Sequence, residues 1–296
     1  FAQYLHAFNG AKYDTDGVTK IPTAMDKTHT NAYGAKMHAY LIAKLSEGTA
    51  LSAYRKEGKV DPIHEIGLAD SVNPDYEIIQ YTAPTAPSAN WPVYTDENGQ
   101  VWHGTVFGDV GGDSKVLSGG FEATVQEKGI TLSVKDNLGK ISSTTDGFLF
   151  YYTAIPVGTP FTLTATAHVD SLFANNQVSF GLMARDELYI DQNIRDTMGD
   201  YVAAGSRNQG AFNCFGRKSG LLFDGPDATH VYNAGDTLTL SICGTQDGFT
   251  LQYGENEPVS AGFDYALSTI DDGYVYVGFY AVRNAAVTFT DIRLTK

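Results

Sequence analysis

The chain is poor in charged side chains, and in basic ones in particular. Only 18% of its 296 residues are Asp, Glu, Lys or Arg, and 20 Lys and Arg stand against 34 Asp and Glu, giving a formal net charge of −14 at pH 7. An acidic surface repels phosphate backbones and anionic lipid, so we expect neither nucleic acid nor a membrane as a partner. A neutral sugar does not respond to net charge, so carbohydrate partners stay open.

Long apolar runs are also missing. No stretch approaches the roughly 18 apolar residues that a membrane-spanning helix needs. The given sequence also shows no signal-peptide pattern. Because the chain begins at Phe1 and not at Met, we expect a processed product or an incomplete chain. We further expect it to come from a secreted or cell-surface bacterial protein.

Cysteine is scarce, with Cys214 and Cys243 as the only two. Both lie in strand-like runs, and one disulfide or two buried thiols fit the sequence equally well. Two Cys without a neighbouring Cys or His pattern do not make a zinc site, and we expect no cofactor. The loop carboxylates Asp186, Asp191 and Asp224–Asp227 are a weak signal for structural Ca²⁺, since no EF-hand spacing accompanies them.

Glycine and aromatic residues are abundant, with 31 Gly, 18 Tyr and 16 Phe, which favours β-structure with tight turns. From about residue 101 onward, apolar and polar residues alternate with period two, as in residues 161–169, 178–185 and 274–280. Dipeptides such as Asp146-Gly147 signal turns between these runs. At least eight such strands without an intervening helix predict a mainly β chain, folded as an antiparallel β-sandwich.

The first 80 residues follow a different pattern, which predicts helix and loop. An apolar residue recurs at every fourth position: Tyr33, Met37, Leu41 and Leu45. This spacing predicts an amphipathic helix over about residues 32–45. Residues 81–95 are rich in Pro, Ala and Thr, which favours an extended linker. We therefore divide the chain into residues 1–80, a linker over 81–95 and a sandwich over 96–296.

A potential catalytic pair stands just before the predicted helix. Asp26 and His29 can touch in a loop, where the carboxylate accepts the imidazole Nδ1–H and leaves Nε2 free to take a proton from a nucleophile. A solvated Asp beside a surface His is the alternative. The pattern D-x-T-H-x-N-x-x-G-A closely resembles the last block of SGNH hydrolases, in particular rhamnogalacturonan acetylesterase-like carbohydrate esterases. The resemblance covers roughly residues 20–55 and implies that Asp26 and His29 are the triad partners of a serine.

The chain departs from that family at the nucleophile. The family's Gly-Asp-Ser motif lies well upstream of this block, and none precedes Asp26 here. Gly112-Asp113-Ser114 has the same letters but falls among the predicted strands, where we interpret it as a Gly-rich turn. The resemblance thus implies that residues 1–80 are the C-terminal portion of an α/β esterase domain. A missing N-terminal segment would carry the serine, and this chain alone is expected not to hydrolyse esters.

The segment after the linker resembles the concanavalin-like jelly-roll modules appended to bacterial pectin-degrading and related carbohydrate enzymes. The resemblance is carried by residues 181–186, 200–205, 276–284 and 287–294. It implies a module that binds plant cell-wall polysaccharide or oligosaccharide of the pectin type. An esterase completed by the missing segment, and a sandwich that acts only as a structural spacer, are the alternatives.

Strand periodicity narrows the expected binding face. Phe180 lies on the face that suits the core, which leaves Arg185 on the opposite, outer face. Flat aromatic rings and forked donors suit sugars, and an anionic sugar such as galacturonate would favour arginine. The candidate carbohydrate-binding residues are Arg185, Arg217, Tyr276, Tyr280 and Arg283. Alternatively, the tyrosines fill the second face of the sheet and the arginines pair with Asp186, Asp191 or Asp200.

Overall fold

A computed structural model describes residues 9–13, 20–30, 38–39, 42, 45–50, 53 and 81–296, except 143–144, 174, 195–198, 219, 269 and 272. It divides the chain into two units, Phe1–Gln80 and Tyr81–Lys296. Among the described residues, no helix is long and apolar enough to cross a membrane.

The first unit contains an antiparallel hairpin of β1 (Asn9–Tyr13) and β2 (Lys20–Thr30). The prediction that Asp26 and His29 form a loop before a helix is therefore wrong, because both lie inside β2. This strand carries several β-branched residues, which favour an extended backbone, and β1 supplies its pairing partner. The side chains of this hairpin are outside the described residues, so a catalytic role for Asp26 and His29 stays a prediction.

The predicted helix over residues 32–45 lies mostly outside the described residues. His38, Ala39, Ile42 and Leu45 are helical, and Ile42 and Leu45 are exposed. The prediction of helix and loop throughout residues 1–80 is wrong for β1 and β2. The small helical remnant of an α/β esterase domain that was expected here has no support in the described residues.

The described residues of the second unit form strands and connections, together with a 3-10 turn at Asp113–Lys115. Its strands, in chain order, are β3 (Tyr94–Thr95), β4 (Val101–Gly108), β5 (Phe121–Gln126), β6 (Gly129–Val134), β7 (Lys140–Ile141), β8 (Asp146–Pro156), β9 (Phe161–Leu172), β10 (Ser179–Arg185), β11 (Gln192–Asn193), β12 (Tyr201–Arg207), β13 (Phe212–Lys218), β14 (Leu221–Asp224), β15 (Thr237–Gly244), β16 (Phe249–Tyr253), β17 (Tyr274–Val282) and β18 (Ala285–Thr295). The 3-10 turn confirms that Gly112-Asp113-Ser114 is a turn and not a strand-to-helix nucleophile motif.

Two sheets stack to form the predicted antiparallel sandwich. The larger, ten-stranded sheet has the order β11-β4-β8-β17-β10-β12-β13-β14, with β3 paired to β4 and β7 to β8. The smaller, six-stranded sheet has the order β16-β15-β9-β18-β6-β5. Neighbouring strands in both sheets run antiparallel, apart from the short parallel pair of β11 and β4. Consecutive strands frequently lie in different sheets, so the connections cross at the ends of the sandwich.

The core between the sheets is built from alternate residues of each strand. In β9, Leu163 and Ala167 are buried while the intervening threonines are partly exposed. Phe180 of β10 and Phe279 of β17 enter the same core from the larger sheet, which confirms the predicted core face. Phe279 packs 5.0 Å from the Phe289 ring of the smaller sheet, and each such buried side chain contributes about 1.5–3 kcal/mol.

The larger sheet is buried on its second face as well. A separate apolar cluster there includes Phe107, Phe148 and Phe215, and the connection after β10 adds Leu188 to it. This explains the continuous apolar run of Gly147–Tyr152, because a strand covered on both faces loses its alternation. Asp146-Gly147 begins β8, so its interpretation as a turn is wrong. Glycine is needed there because a Cβ would lie 2.3 Å from the Asp109 carbonyl oxygen.

The residues predicted to be a linker lie along the sandwich. The Trp91 indole Nε1 donates to Asp191 Oδ1 at 2.8 Å, and Tyr94 belongs to the core cluster. Ser88 also donates to the Asp191 carboxylate. These contacts hold residues 88–94 against the strands and connections of the sandwich. Cys214 and Cys243 are free thiols, and burial raises the pKa of Cys214 to about 12.

Candidate functional site

Three of the predicted ligands form one row across the second face of the larger sheet. Strand pairing places Tyr276 of β17 opposite Arg185 of β10, Arg185 opposite Tyr201 of β12, and Tyr201 opposite Arg217 of β13. The predicted orientation of Arg185, away from the core, is thus confirmed. The row is covered, however: Arg185 is 1% exposed, Arg217 0% and Tyr276 3%.

Arg217 is held by a dense set of contacts. Its Nε and Nη2 donate to Asp146 Oδ2 at 3.0 and 2.8 Å. Nη1 donates to the Gly220 carbonyl at 2.9 Å, and Nη2 to the Ser142 carbonyl at 3.0 Å. Burial by itself lowers the pKa of Arg217, but the Asp146 charge outweighs it and raises the pKa above its ordinary value. The guanidinium therefore stays charged and fixed.

Arg185 is enclosed by aromatic rings. Its guanidinium carbon lies 4.8 Å from the Phe107 ring centre and 4.9 Å from that of Phe148, which are cation–π distances. Nε donates to the Glu187 carbonyl at 2.5 Å, and Nη2 lies 3.5 Å from the Glu187 carboxylate. Among the described ion pairs, Arg185 is paired with Glu187 and Arg217 with Asp146.

The two predicted tyrosines are engaged as well. The Tyr276 hydroxyl donates to Asp271 Oδ2 at 2.7 Å, and burial with that hydrogen bond raises the pKa of Tyr276. Tyr280 is fully buried, and its hydroxyl lies 2.8 Å from Ser179 Oγ. A sugar at Arg185, Arg217, Tyr276 or Tyr280 would have to displace these internal partners. Carbohydrate binding by these four residues stays a prediction.

Arg283 lies elsewhere, in the short connection that passes from β17 in the larger sheet to β18 in the smaller sheet. Arg283 and Asn284 form this two-residue connection, with φ of 50° and 39°. Both residues thus have left-handed backbone, which asparagine tolerates and arginine disfavours. A non-glycine residue in this region costs about 1–3 kcal/mol and is enriched at functional sites. The position therefore favours a role for the Arg283 side chain beyond the turn itself.

Four connections meet around Arg283 and form an open cleft of about 760 Å³, which we call the hairpin cleft. They are the connection between β17 and β18, the turn after β6, the connection between β9 and β10, and the turn of the β12–β13 hairpin, from which the cleft takes its name. The lining residues are Asn137, Phe173, Asn175, Asn176, Gln177, Gln209 and Arg283. Asn137 and Gln209 share the left-handed backbone of Arg283, with φ of 55° and 59°.

Hydrogen bonds fix the polar groups of the hairpin cleft. The Arg283 guanidinium donates to the Asn137 carbonyl and to Gln177 Oε1. Gln209 Nε2 donates to Asn176 Oδ1 at 2.6 Å. Arginine carries five N–H donors, and these two bonds leave several of them for a ligand. The cleft is thus preorganised by contacts between connections that are far apart in the sequence.

The lining of the hairpin cleft carries a positive charge on an otherwise acidic chain. Its lining contains one arginine, five amide side chains and no carboxylate, on a chain with a net charge of −14. Phe173 is 67% exposed, so an aromatic face stands open to solvent at its edge. Burial lowers the pKa of Arg283 while the Asp109 charge opposes this, and the group stays protonated at neutral pH.

Sequence reasoning identified Arg283 and missed the other lining residues. Asn137, Gln177 and Gln209 belong to turns separated by long stretches of chain, so no local spacing connects them. The run from Phe173 to Gln177 was a readable signal, because an aromatic residue followed by amides between two strands describes an exposed polar loop.

The described part of the chain contains no cluster of side chains suited to a metal ion. No three His, Cys, Asp or Glu side chains converge there in a way that would hold a metal ion. Asp191, one of the expected Ca²⁺ ligands, instead accepts hydrogen bonds from Trp91 and from the Val106 amide.

Parts of the sequence are similar to parts of pectin-degrading enzymes. Residues 112–206 match the family described as pectate disaccharide-lyase N-terminal domain. The chain is 29% identical over 175 residues to pectate lyase L of Thermoclostridium stercorarium, covering 56% of this chain and 13% of that protein. It is 28% identical over 254 residues to pectate disaccharide-lyase of Dickeya chrysanthemi, covering 68% of this chain and 34% of that protein. The chain thus spans about an eighth and about a third of these curated relatives.

Among solved structures, the chain matches the carbohydrate binding module CBM66 from Bacillus subtilis. The match has a TM-score of 0.38 and 11% identity, and it covers 60% of this chain and 92% of that chain.

Proposed function

From the partial match to pectate lyases and the composition of the hairpin cleft, we propose that the second unit is a non-catalytic polysaccharide-binding module. Its ligand is an acidic, pectin-like polysaccharide, and its role is to keep an attached polysaccharide-degrading enzyme near that substrate. This role requires a location outside the cell, as the sequence predicts. The family match spans residues 112–206 and does not reach Asp26 and His29. The esterase assignment of residues 1–80 therefore stays a prediction.

One observation carries the proposal: the hairpin cleft combines an arginine, amides and an exposed Phe173 without any carboxylate in its lining. A uronate residue offers a carboxylate, several hydroxyls and an apolar ring face. The unused N–H donors of Arg283 suit the carboxylate, because guanidinium groups bind carboxylates in a forked geometry. Amide side chains both donate to and accept from hydroxyls, and Phe173 offers a stacking face.

The direct test is binding of the whole chain to polymers that differ in charge. Affinity electrophoresis and titration calorimetry would compare polygalacturonate, highly methyl-esterified pectin and neutral arabinan. We expect the chain to bind polygalacturonate, and we expect this binding to weaken with esterification, which removes the carboxylate charges. Added salt should also weaken it, because salt screens exposed charges over a distance of about 10 Å at 0.1 M. Equal retardation by all three polymers, or by none, would contradict the proposal.

Phe173→Ala is expected to weaken polygalacturonate binding by about threefold to tenfold, the range of one aromatic contact. Because Phe173 is 67% exposed, the free energy of unfolding should change by less than about 0.5 kcal/mol. Leu221→Ala is a matched control, since Leu221 is 65% exposed and lies on β14, outside the hairpin cleft. Equal effects of both substitutions on binding would remove Phe173 from the site.

A further inference from the structure

A second concave site lies on the same unit and shares no residue with the hairpin cleft. Two connections enclose it, residues 225–230 before β15 and residues 254–261 after β16. Its volume is about 380 Å³, and we call it the loop pocket. The lining residues are Asn213, Pro226, Asp227, Thr229, Asn256, Glu257, Pro258, Val259, Ser260 and Ala261.

The walls of the loop pocket are fixed by hydrogen bonds. Asn256 is 2% exposed and joins the two connections: its Oδ1 accepts from the Thr229 and His230 amides, both at 2.8 Å. Its Nδ2 donates to the His230 and Tyr253 carbonyls, both at 3.0 Å. Val259 and Leu251 exchange backbone hydrogen bonds of 2.8 Å, which ties the second connection to β16. The pocket is therefore preformed, and a ligand would not have to order its walls.

Three residues that line the loop pocket carry acceptor oxygens without a hydrogen-bond partner among the described residues. Asn213 is 3% exposed, and its Oδ1 is buried with no hydrogen-bond partner anywhere in the described structure. Buried polar atoms are almost always paired, so this oxygen on a residue that lines the pocket calls for a partner that the described residues do not supply. The exposed carboxylates of Asp227 and Glu257 likewise make no hydrogen bond or ion pair with described residues.

Several of the other lining residues are apolar, and they narrow the class of ligand. Pro226, Pro258 and Val259 present carbon surface, and a Ca²⁺ site would instead need a shell of six to eight oxygens. No third acidic side chain joins Asp227 and Glu257 among the described residues. A uronate would be repelled by the two carboxylates. A neutral sugar suits a pocket that offers acceptor oxygens and apolar surface. Its hydroxyls donate hydrogen bonds, and its C–H face packs on the prolines.

We infer that the loop pocket is a second sugar-binding site and that it takes a neutral, hydroxyl-rich sugar residue. It goes beyond the proposed function, because its ligand differs in charge from that of the hairpin cleft. With both sites occupied, the module would contact an acidic chain and a neutral chain at once. Linking two weak sites in this way raises the overall affinity for a mixed polymer without any new contact.

The test uses the full chain and defined probes: galactotriose, arabinotriose, xylotriose, the galacturonate trimer and CaCl₂, each titrated by calorimetry and NMR. We expect at least one neutral trisaccharide to bind. Asp227→Ala and Glu257→Ala should each weaken that binding about tenfold, the effect of losing one hydrogen bond to a charged acceptor. Glu255→Ala is the matched control, since Glu255 is an exposed carboxylate on the same connection but outside the pocket lining.

Arg283→Gln separates this inference from the proposed function, because it should weaken binding of the galacturonate trimer by about tenfold to a hundredfold and leave binding of the neutral sugar unchanged. The inference is overturned if no neutral trisaccharide binds, or if Asp227→Ala and Glu257→Ala have no more effect than Glu255→Ala. It is also overturned if CaCl₂ alone shifts the pocket signals in a manner that depends on Asp227. Both substituted carboxylates are exposed, so a thermal melt close to that of the parent chain is expected to confirm that the variants fold.

Discussion

Asp146→Asn is expected to lower the free energy of unfolding of the sandwich by about 3–5 kcal/mol, the cost of breaking one partner of a buried ion pair. Asp146 is 1% exposed and Arg217 0%, and Nη2 of Arg217 lies 2.8 Å from the carboxylate. The substitution leaves the Arg217 charge buried without its counter-ion. For a domain of this size, each kcal/mol shifts Tm by about 2–4 °C, so we expect a decrease of about 6–20 °C.

Thermal unfolding followed by circular dichroism measures this effect, and the chain supplies a matched control. Arg207 and Asp224 form a shorter ion pair, 2.6 Å, but their side chains are 17% and 29% exposed. Asp224→Asn should therefore cost no more than about 1 kcal/mol. If both variants melt at the same temperature, burial does not determine the strength of these pairs. The double variant Asp146→Leu with Arg217→Met should recover much of the loss, because it removes both charges together.

Arg283→Gln should weaken binding of polygalacturonate by about tenfold to a hundredfold, since hydrogen bonds to charged groups contribute about 1.5–3 kcal/mol. Glutamine retains hydrogen-bonding capacity but not the charge, so the loss isolates the electrostatic component. Arg283→Lys keeps the charge without the planar fork and should give an intermediate affinity. Calorimetric titration with galacturonate oligomers measures all three affinities.

Arg293→Gln is the control for net charge, because Arg293 is exposed on β18 and does not line the hairpin cleft. It makes the chain more acidic by the same amount as Arg283→Gln. A comparable loss of binding in the two variants would show that long-range repulsion, and not a specific contact, governs the affinity. In that case the hairpin cleft would not be the uronate site.

The sandwich was predictable because its strands keep period two where one face meets solvent. Residues 161–169 alternate in the sequence and in the structure, and the core face around Phe180 was predicted correctly. Gly147–Tyr152 was harder to interpret, because a strand buried on both faces has no alternation to detect. The short motif around Asp26 and His29 predicts a loop, but this segment pairs with β1 and is therefore a strand.

The site was only partly predictable, and the reason is topological. Arg185 faces away from the core as expected, but periodicity does not decide whether this face is open or covered, and it does not reveal that Asp146 pairs with Arg217. The hairpin cleft depends on four turns brought together by the sheet order. A single sequence does not reveal that order, so Arg283 was recognised as a candidate without its neighbours.

Because the hairpin cleft is built from connections while the sheets carry the packing, its specificity and its stability are largely separable. Changes in the length or sequence of the turns around Arg283 and Gln209 would alter which polymer is recognised, yet leave the interior residues untouched. Relatives of this chain are therefore expected to diversify at these tips first. An engineer seeking a new glycan specificity would randomise the tips and keep the strands as a constant frame.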